Sequence, residues 1–378
     1  MRTAFFCNLI PNKLGAFEWL LVTLGESFQA GGDSLTVIFA DEPIDELAGL
    51  LREAGVSWET IPGWSEGEER EHPWAFALPA AKIVNRLNPD VAVVHFGNEW
   101  PSLVARALSR LRGAGQTRWV WQQDQQISDP SRVTRSLSSI RAVSICFDHM
   151  VAVYEGGRES MMRRGIPADK VSVIYNAIRD HAPARATGWL RNELGVDEGT
   201  PLVVNVGWQI PRKRIDFVIH AMAHLNGDIK PALVQVGEGP QRRELEALAE
   251  REGIRDRVHF LGLRNDVRDV LAECDLLVHA SLAETCTYVI SESMSVSIPA
   301  VVTDAGAARE QIVDDVTGYV VERDDSAGFI ERLGLLTSDG ERRARFGTAA
   351  RQRWEDRYRV EVSAGKYYEL YRRLASMV

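Results

Sequence analysis

The stretch Ala280-Ser281-Leu282-Ala283-Glu284-Thr285-Cys286-Thr287-Tyr288-Val289-Ile290-Ser291-Glu292 decides the fold. Before it lies an apolar strand pattern, Cys274-Asp275-Leu276-Leu277-Val278-His279-Ala280. After it come a short helical stretch, a strand at Ile298-Pro299-Ala300-Val301-Val302, and the turn Asp304-Ala305-Gly306-Ala307-Ala308-Arg309-Glu310. Strand, acidic loop, helix, strand and small-residue loop make a βαβ crossover. In open α/β sheets ligands bind outside the carboxyl ends of the strands. Glu284 in the loop and Glu292 just inside the helix are placed to hold ligand hydroxyls there. Taken alone, two such glutamates read as solvated helix-surface charges; the motifs around them reverse that reading.

A chain of 378 residues exceeds one ordinary core and points to two domains of similar size. Its 45% hydrophobic and 26% charged residues are those of a soluble globular protein, and a net charge of −9 argues against general nucleic-acid binding. No apolar run approaches the roughly 20 residues of a membrane-spanning helix. The opening Met1-Arg2-Thr3-Ala4-Phe5-Phe6-Cys7 lacks the long apolar region of a signal peptide. Cys7, Cys146, Cys274 and Cys286 are scattered, with no Cys-x-x-Cys, and read as reduced thiols in a cytoplasmic protein without a zinc site.

Strands alternate with helices along the first half. Strands are expected at 3–10, 35–39, 91–95, 119–121, 150–153 and 171–175, with helices at 17–29, 79–87 and 102–111. Residues 61–73, rich in glutamate, read as an exposed loop. The aperiodic segment 181–188 is the linker candidate. A second series follows, with strands at 201–206, 231–236, 258–261 and 276–279 and helices at 216–225, 241–253 and 267–273. The pattern implies parallel sheets with helices on both faces. Expected boundaries are 1–182 for the first domain, 183–360 for the second, and 361–378 for a last helix rich in tyrosine.

Several strand ends carry polar motifs. In the second half they are Val206-Gly207-Trp208-Gln209-Ile210-Pro211-Arg212-Lys213-Arg214, Val236-Gly237-Glu238-Gly239-Pro240 and Leu261-Gly262-Leu263-Arg264. In the first half they are Asn12-Lys13-Leu14-Gly15, His95-Phe96-Gly97-Asn98-Glu99 and Gln122-Gln123-Asp124. Glycines permit tight turns and close approach of backbone to ligand. Cations beside a helix N-terminus suit an anionic ligand. No strand opens into Gly-x-Gly-x-x-Gly, which disfavours an NAD-dependent enzyme.

In order and spacing these motifs resemble the large retaining glycosyltransferase family with a Glu-x7-Glu signature, the glycosyl transferases group 1. The resemblance implies a GT-B fold: two Rossmann-like domains with parallel sheets, the active site in the cleft between them, and the last helix packing back on the first domain. It implies transfer of a sugar from a nucleoside diphosphate sugar to an acceptor hydroxyl, with retention and without an essential metal or other cofactor. Uridine is favoured as the base because it is frequent in the family. Catalytic roles fall on Glu284 (transferred sugar), Lys213 (diphosphate) and His95. Donor-binding roles fall on Gly15, Gly207, Arg212, Arg264, Thr285, Cys286, Thr287 and Glu292, the last on the ribose hydroxyls. Asn98, Glu99 and Asp124 are the acceptor-side candidates.

The chain departs from the family pattern at Trp208 (usually arginine), at Thr285-Cys286-Thr287 (usually Gly-Phe-Gly), and at Ser297 and Ala307 (usually glycine). Those departures keep a second reading open, a catalytically weak sugar-nucleotide-binding paralog. A GT-B-fold epimerase is a third, needing acid/base carboxylates that the sequence does not clearly show. Acceptors of three kinds fit the family: a small metabolite, a polysaccharide or a lipid-linked sugar. Seven arginines between 103 and 141 (106, 110, 112, 118, 132, 135 and 141) leave docking at the inner membrane face open, although solvated helix faces are the simpler reading.

Overall fold

A computed structural model of the chain describes residues 1–62, 64, 73–95, 99–111, 116–123, 147–180, 185, 187–225 and 229–377. They form two compact units, Met1–Arg179 with Arg359–Val378, and Asp180–Tyr358. Most of the acidic loop, Asn98, Asp124, Cys146 and most of the linker candidate lie outside the described residues, as do four of the seven arginines.

The first unit is built on seven parallel strands: β1 (Arg2–Cys7), β2 (Ser34–Phe39), β3 (Val56–Thr60), β4 (Val91–His95), β5 (Arg118–Gln123), β6 (His149–Ala152) and β7 (Val171–Val173). Their order is β3-β2-β1-β4-β5-β6-β7. The second unit has six: β8 (Leu202–Val206), β9 (Ala232–Val236), β10 (Val258–Gly262), β11 (Leu276–His279), β12 (Ala300–Thr303) and β13 (Gly318–Val321), in the order β10-β9-β8-β11-β12-β13. These strands are near-continuous apolar runs because helices cover both faces. The order is doubly wound in both units, reversing beside the first strand of each. The strand Val56–Thr60 and the helix Asp45–Glu53 were not expected; Val56-Ser57-Trp58-Glu59-Thr60 alternates apolar and polar side chains, but over too few residues to stand out.

In the second unit the reversal falls between β8 and β11, paired at Leu276–Val203 and Leu277–Val204. Asn205 is buried on β8 and donates from Nδ2 to the Val278 carbonyl at 3.1 Å, tying the two strand ends together. The loops after β8 and β11 therefore leave the sheet side by side. They carry Gly207–Arg214 and Ser281–Glu284.

The helix Val360–Ala375 belongs to the first unit. The Val360 amide donates to the Ile178 carbonyl, and Ser363 Oγ donates to Tyr175 O at 2.9 Å. Its apolar face joins the core that includes Phe17, Leu21 and Phe28, and Tyr368 meets Phe28 edge-on with centroids 5.1 Å apart. The Tyr368 hydroxyl donates to Asp33 Oδ2 at 2.7 Å. No helix among the described residues is long and apolar enough to cross a membrane.

Tyr371 is fully buried in that face, and its hydroxyl has no hydrogen-bond partner among the described residues. Tyr371→Ala should therefore lower unfolding stability by about 3–5 kcal/mol. Tyr371→Phe removes only an unmet polar group and should leave stability unchanged or raised. Urea unfolding of the two variants checks both signs.

Candidate active site

The loop after β8 is shaped by close backbone packing. A Cβ on Gly237 would lie 2.2 Å from the Gly207 carbonyl oxygen, and one on Gly239 would lie 2.5 Å from that of Gln209. The Gly-x-Gly-Pro turn thus acts as a mould for residues 207–209. Gln209 completes it, its amide donating to Glu238 O and its Nε2 to Gly237 O. The chain then makes a 3-10 turn at Pro211–Lys213, passes Arg214 in the left-handed region (φ 49°), and enters helix Ile215–Ala223. Trp208 stands outward on this loop, 69% exposed.

The loop after β11 clamps onto the same turn. The Leu282 amide donates to Arg212 O at 2.9 Å, and Ser281 Oγ reaches that oxygen at 3.2 Å. Glu284 is thereby brought to three donors, all meeting Oε1: Lys213 Nζ at 2.5 Å, His279 Nε2 at 3.2 Å and Arg212 Nη1 at 3.2 Å. Glu284, Lys213 and His279 are largely buried, while Arg212 is half-exposed. Burial by itself pushes the Glu284 carboxyl up, but the His279 hydrogen bond and the Lys213 ammonium outweigh it and hold it far below the usual range. Burial pushes His279 down, opposed by its hydrogen bond with Glu284. Oε2 has no partner among the described residues and can accept from a ligand hydroxyl.

Beyond Glu284 the chain is packed rather than open. Gly306 (φ 59°) approaches so closely that a Cβ there would lie 2.3 Å from Thr285 O and 2.4 Å from Glu284 O. The Ala307 amide donates to Thr285 O at 2.7 Å. Cys286 is buried. The Thr287 amide donates to Gln311 Oε1 at 3.1 Å, and Gln311 Nε2 donates to Thr287 O at 2.9 Å. Buried Gln311 therefore fastens the entrance of helix Tyr288–Ser295. Ser297, at a usual glycine position, takes the left-handed region (φ 62°), which explains the glycine preference there.

Glu292 lies half-buried one turn into that helix. Burial pushes its carboxyl up, opposed by the charge of Arg268. Among the described residues no side chain hydrogen-bonds the Glu292 carboxylate. Arg268 instead donates from Nη2 to Ser295 Oγ at 2.9 Å and lies 3.8 Å from Asp180.

Other candidates are held elsewhere. Arg264 forms a two-pronged pair with Asp266, both contacts at 2.7 Å, and reaches Glu193 at 3.2 Å. Arg214 turns to Asp324 at 3.7 Å and lies over the Phe217 ring, so Arg212 is the arginine that joins Lys213. In the first unit, the Gly15 amide donates to Glu18 Oε2 at 2.9 Å, so the helix's own carboxylate occupies the place expected of a phosphate. His95 is buried at the end of β4, its ring lying flat on Phe17 with centroids 4.2 Å apart. Glu99 begins the helix Glu99–Leu111. Arg106 and Arg118 pair with Asp148 at 2.9 and 3.5 Å, Arg106 buried and Arg118 partly exposed.

His279, Gln311 and Arg268 were not singled out from sequence. His279 follows three apolar strand residues, and Gln311 and Arg268 lie on other elements, with no local signal linking any of them to the loop. Because Lys213 and Glu284 share one partly buried contact, their single substitutions should not add. A double-mutant cycle of Lys213→Met and Glu284→Gln, read by urea unfolding, should give a coupling of about 0.5–3 kcal/mol; additive values would mean that the contact carries no net charge interaction.

Residues 189–353 match the family described as glycosyl transferases group 1, and residues 18–181 match Glycosyltransferase Family 4. The chain is 28% identical over 206 residues to N-acetyl-alpha-D-glucosaminyl L-malate synthase of Bacillus anthracis, covering 54% of each. It is 31% identical over 218 residues to D-inositol 3-phosphate glycosyltransferase of Xylanimonas cellulosilytica, covering 54% of this chain and 52% of that protein. It thus spans about half the length of the curated relatives it matches. Among solved structures, Anabaena HepE in complex with UDP superposes with a TM-score of 0.78 at 20% identity, covering 98% of this chain and 99% of the other. WaaG superposes with a TM-score of 0.68 at 17% identity, covering 98% and 99%. These likenesses show the fold, two parallel-sheet Rossmann-like domains of GT-B type. Each half of the chain thus matches one glycosyltransferase family model, the second half that of the glycosyl transferases group 1, with the linker candidate between the two matches.

Proposed function

We propose that the chain transfers a sugar from a nucleoside diphosphate sugar, with uridine as the base, to an acceptor hydroxyl, retaining configuration and using no resident metal. The observation that carries this reading is the convergence of Lys213, Arg212 and His279 on Glu284 at the switch point of the second sheet. Neighbours of the same fold support the choice of uridine: Anabaena HepE has been solved with UDP, with UDP and glucose, and with UDP-glucose.

Each residue has a physical task in this reading. Lys213 and Arg212 stabilise the diphosphate as it leaves with its charge. Glu284 Oε2 accepts from a hydroxyl of the transferred sugar, and Glu292 accepts from the ribose diol. The departing phosphate oxygen takes the acceptor's proton on the same face of the sugar. The protein supplies position and charge rather than a pair of reacting carboxylates. The acceptor is a hydroxylated molecule, and the setting we propose is cytoplasmic.

A second reading has its own observations. Trp208 stands exposed where arginine is usual, and the Thr287 amide is already taken by Gln311. Both favour a paralog that binds sugar nucleotides and transfers slowly, since perturbed sites lose rate before binding.

Thermal melting with UDP, GDP, ADP and their sugar conjugates tests the donor site. UDP at 100 times its Kd should add about 2.7 kcal/mol of stability, and Lys213→Ala and Glu292→Ala should each weaken the response. Release of UDP from the bound UDP-sugar then separates the readings. Binding with turnover supports the transferase, and binding without it supports the slow paralog. No response to any nucleotide contradicts both.

A further inference from the structure

The second unit carries another cluster, on its surface. His220 lies in the last turn of helix Ile215–Ala223, and His224 caps that helix. Glu252 caps the neighbouring helix Arg242–Arg251. Residues four apart on a helix share one face. His220 Nδ1 lies 3.3 Å from Glu252 Oε1, and His224 Nδ1, which donates to the His220 carbonyl at 2.9 Å, lies 3.8 Å from Oε2. The two rings lie 4.0 Å apart between centroids. One ligand atom from each of the three residues falls within 4.8 Å of the others.

In a tetrahedral zinc site, with bonds near 2.0–2.1 Å, neighbouring ligand atoms stand about 3.3 Å apart. Bringing the ligand atoms to that spacing calls for rotation of these side chains, with His224 either releasing Nδ1 from the His220 carbonyl or presenting Nε2. All three side chains reach solvent, being 48%, 51% and 22% exposed for His220, His224 and Glu252. The surroundings also favour a cation, because two helix C-termini direct their partial negative charge here. Two imidazoles with one carboxylate suit late first-row divalent ions, whereas Mg2+ and Ca2+ favour oxygen ligands.

We propose that His220, His224 and Glu252 bind a late first-row divalent cation of the Zn2+ class, which staples the C-terminal ends of the two helices. Three protein ligands leave a fourth position to water. The staple has a structural role and takes no part in sugar transfer. Helix Ile215–Ala223 starts directly after Lys213 and Arg214, so the cation fixes the far end of the element that follows the site's cationic turn.

Calorimetric titration of the untagged chain with Zn2+ and with Mg2+ tests this, for wild type, His220→Ala and Glu252→Gln. The described cysteines, Cys7, Cys274 and Cys286, are buried and do not compete. One Zn2+ should bind per chain and raise the melting temperature, with little response to Mg2+. Each variant should keep its metal-free melt and bind Zn2+ about tenfold or more weakly. Zn2+ binding that is absent, equal in the variants, or matched by Mg2+ overturns the proposal.

Discussion

An ionised carboxylate held out of water beside three donors is the constraint on which the second unit's carboxyl edge depends. Isolated, the Glu284 charge would be costly at that burial. It is tolerated because Lys213, His279 and Arg212 meet one of its oxygens. Those donors come from the turn after β8 and from the last residue of β11. The contact therefore joins two loops that the chain order keeps about seventy residues apart, while Asn205 ties the strands beneath them. Doubly wound topology brings the loops together, and the charge fixes their facing side chains.

The other polar groups of this edge divide between holding the backbone and remaining available. Gln311 spends its carboxamide on Thr287, and Gly306 is required by its contact with the carbonyls of Glu284 and Thr285. Glu292 is the contrasting case: its carboxyl is disfavoured in the charged form by burial and only partly relieved by Arg268. A half-buried acid that no side chain among the described residues hydrogen-bonds is a poor choice for stability and a reasonable one for a site that receives hydroxyls.

The parallel strands were legible because Val, Leu and Ile runs such as Leu202–Val206 and Leu276–His279 say "buried on both faces". Lys213 and Glu284 were legible as candidates through the resemblance of the motifs after their strand ends to the glycosyltransferase pattern. Their mutual contact was not, since side-chain partners distant in sequence leave no local periodicity. The same limit hid His279 and Gln311. It also concealed what competes for expected ligand positions: Glu18 on the Gly15 amide, Asp266 on Arg264, and Phe17 against His95. Left-handed Ser297 is the reverse case, where a departure from a usual glycine marked a real backbone demand.

The central claim, an anchored and ionised Glu284, is tested most directly by carboxyl-carbon NMR with 13C-labelled glutamate. Its signal can be assigned by its loss in Glu284→Gln. The account predicts that Glu284 stays ionised well below the ordinary glutamate value of 4.5, and that Lys213→Ala moves its titration upward. Titration at the ordinary value, unchanged by that substitution, would contradict it.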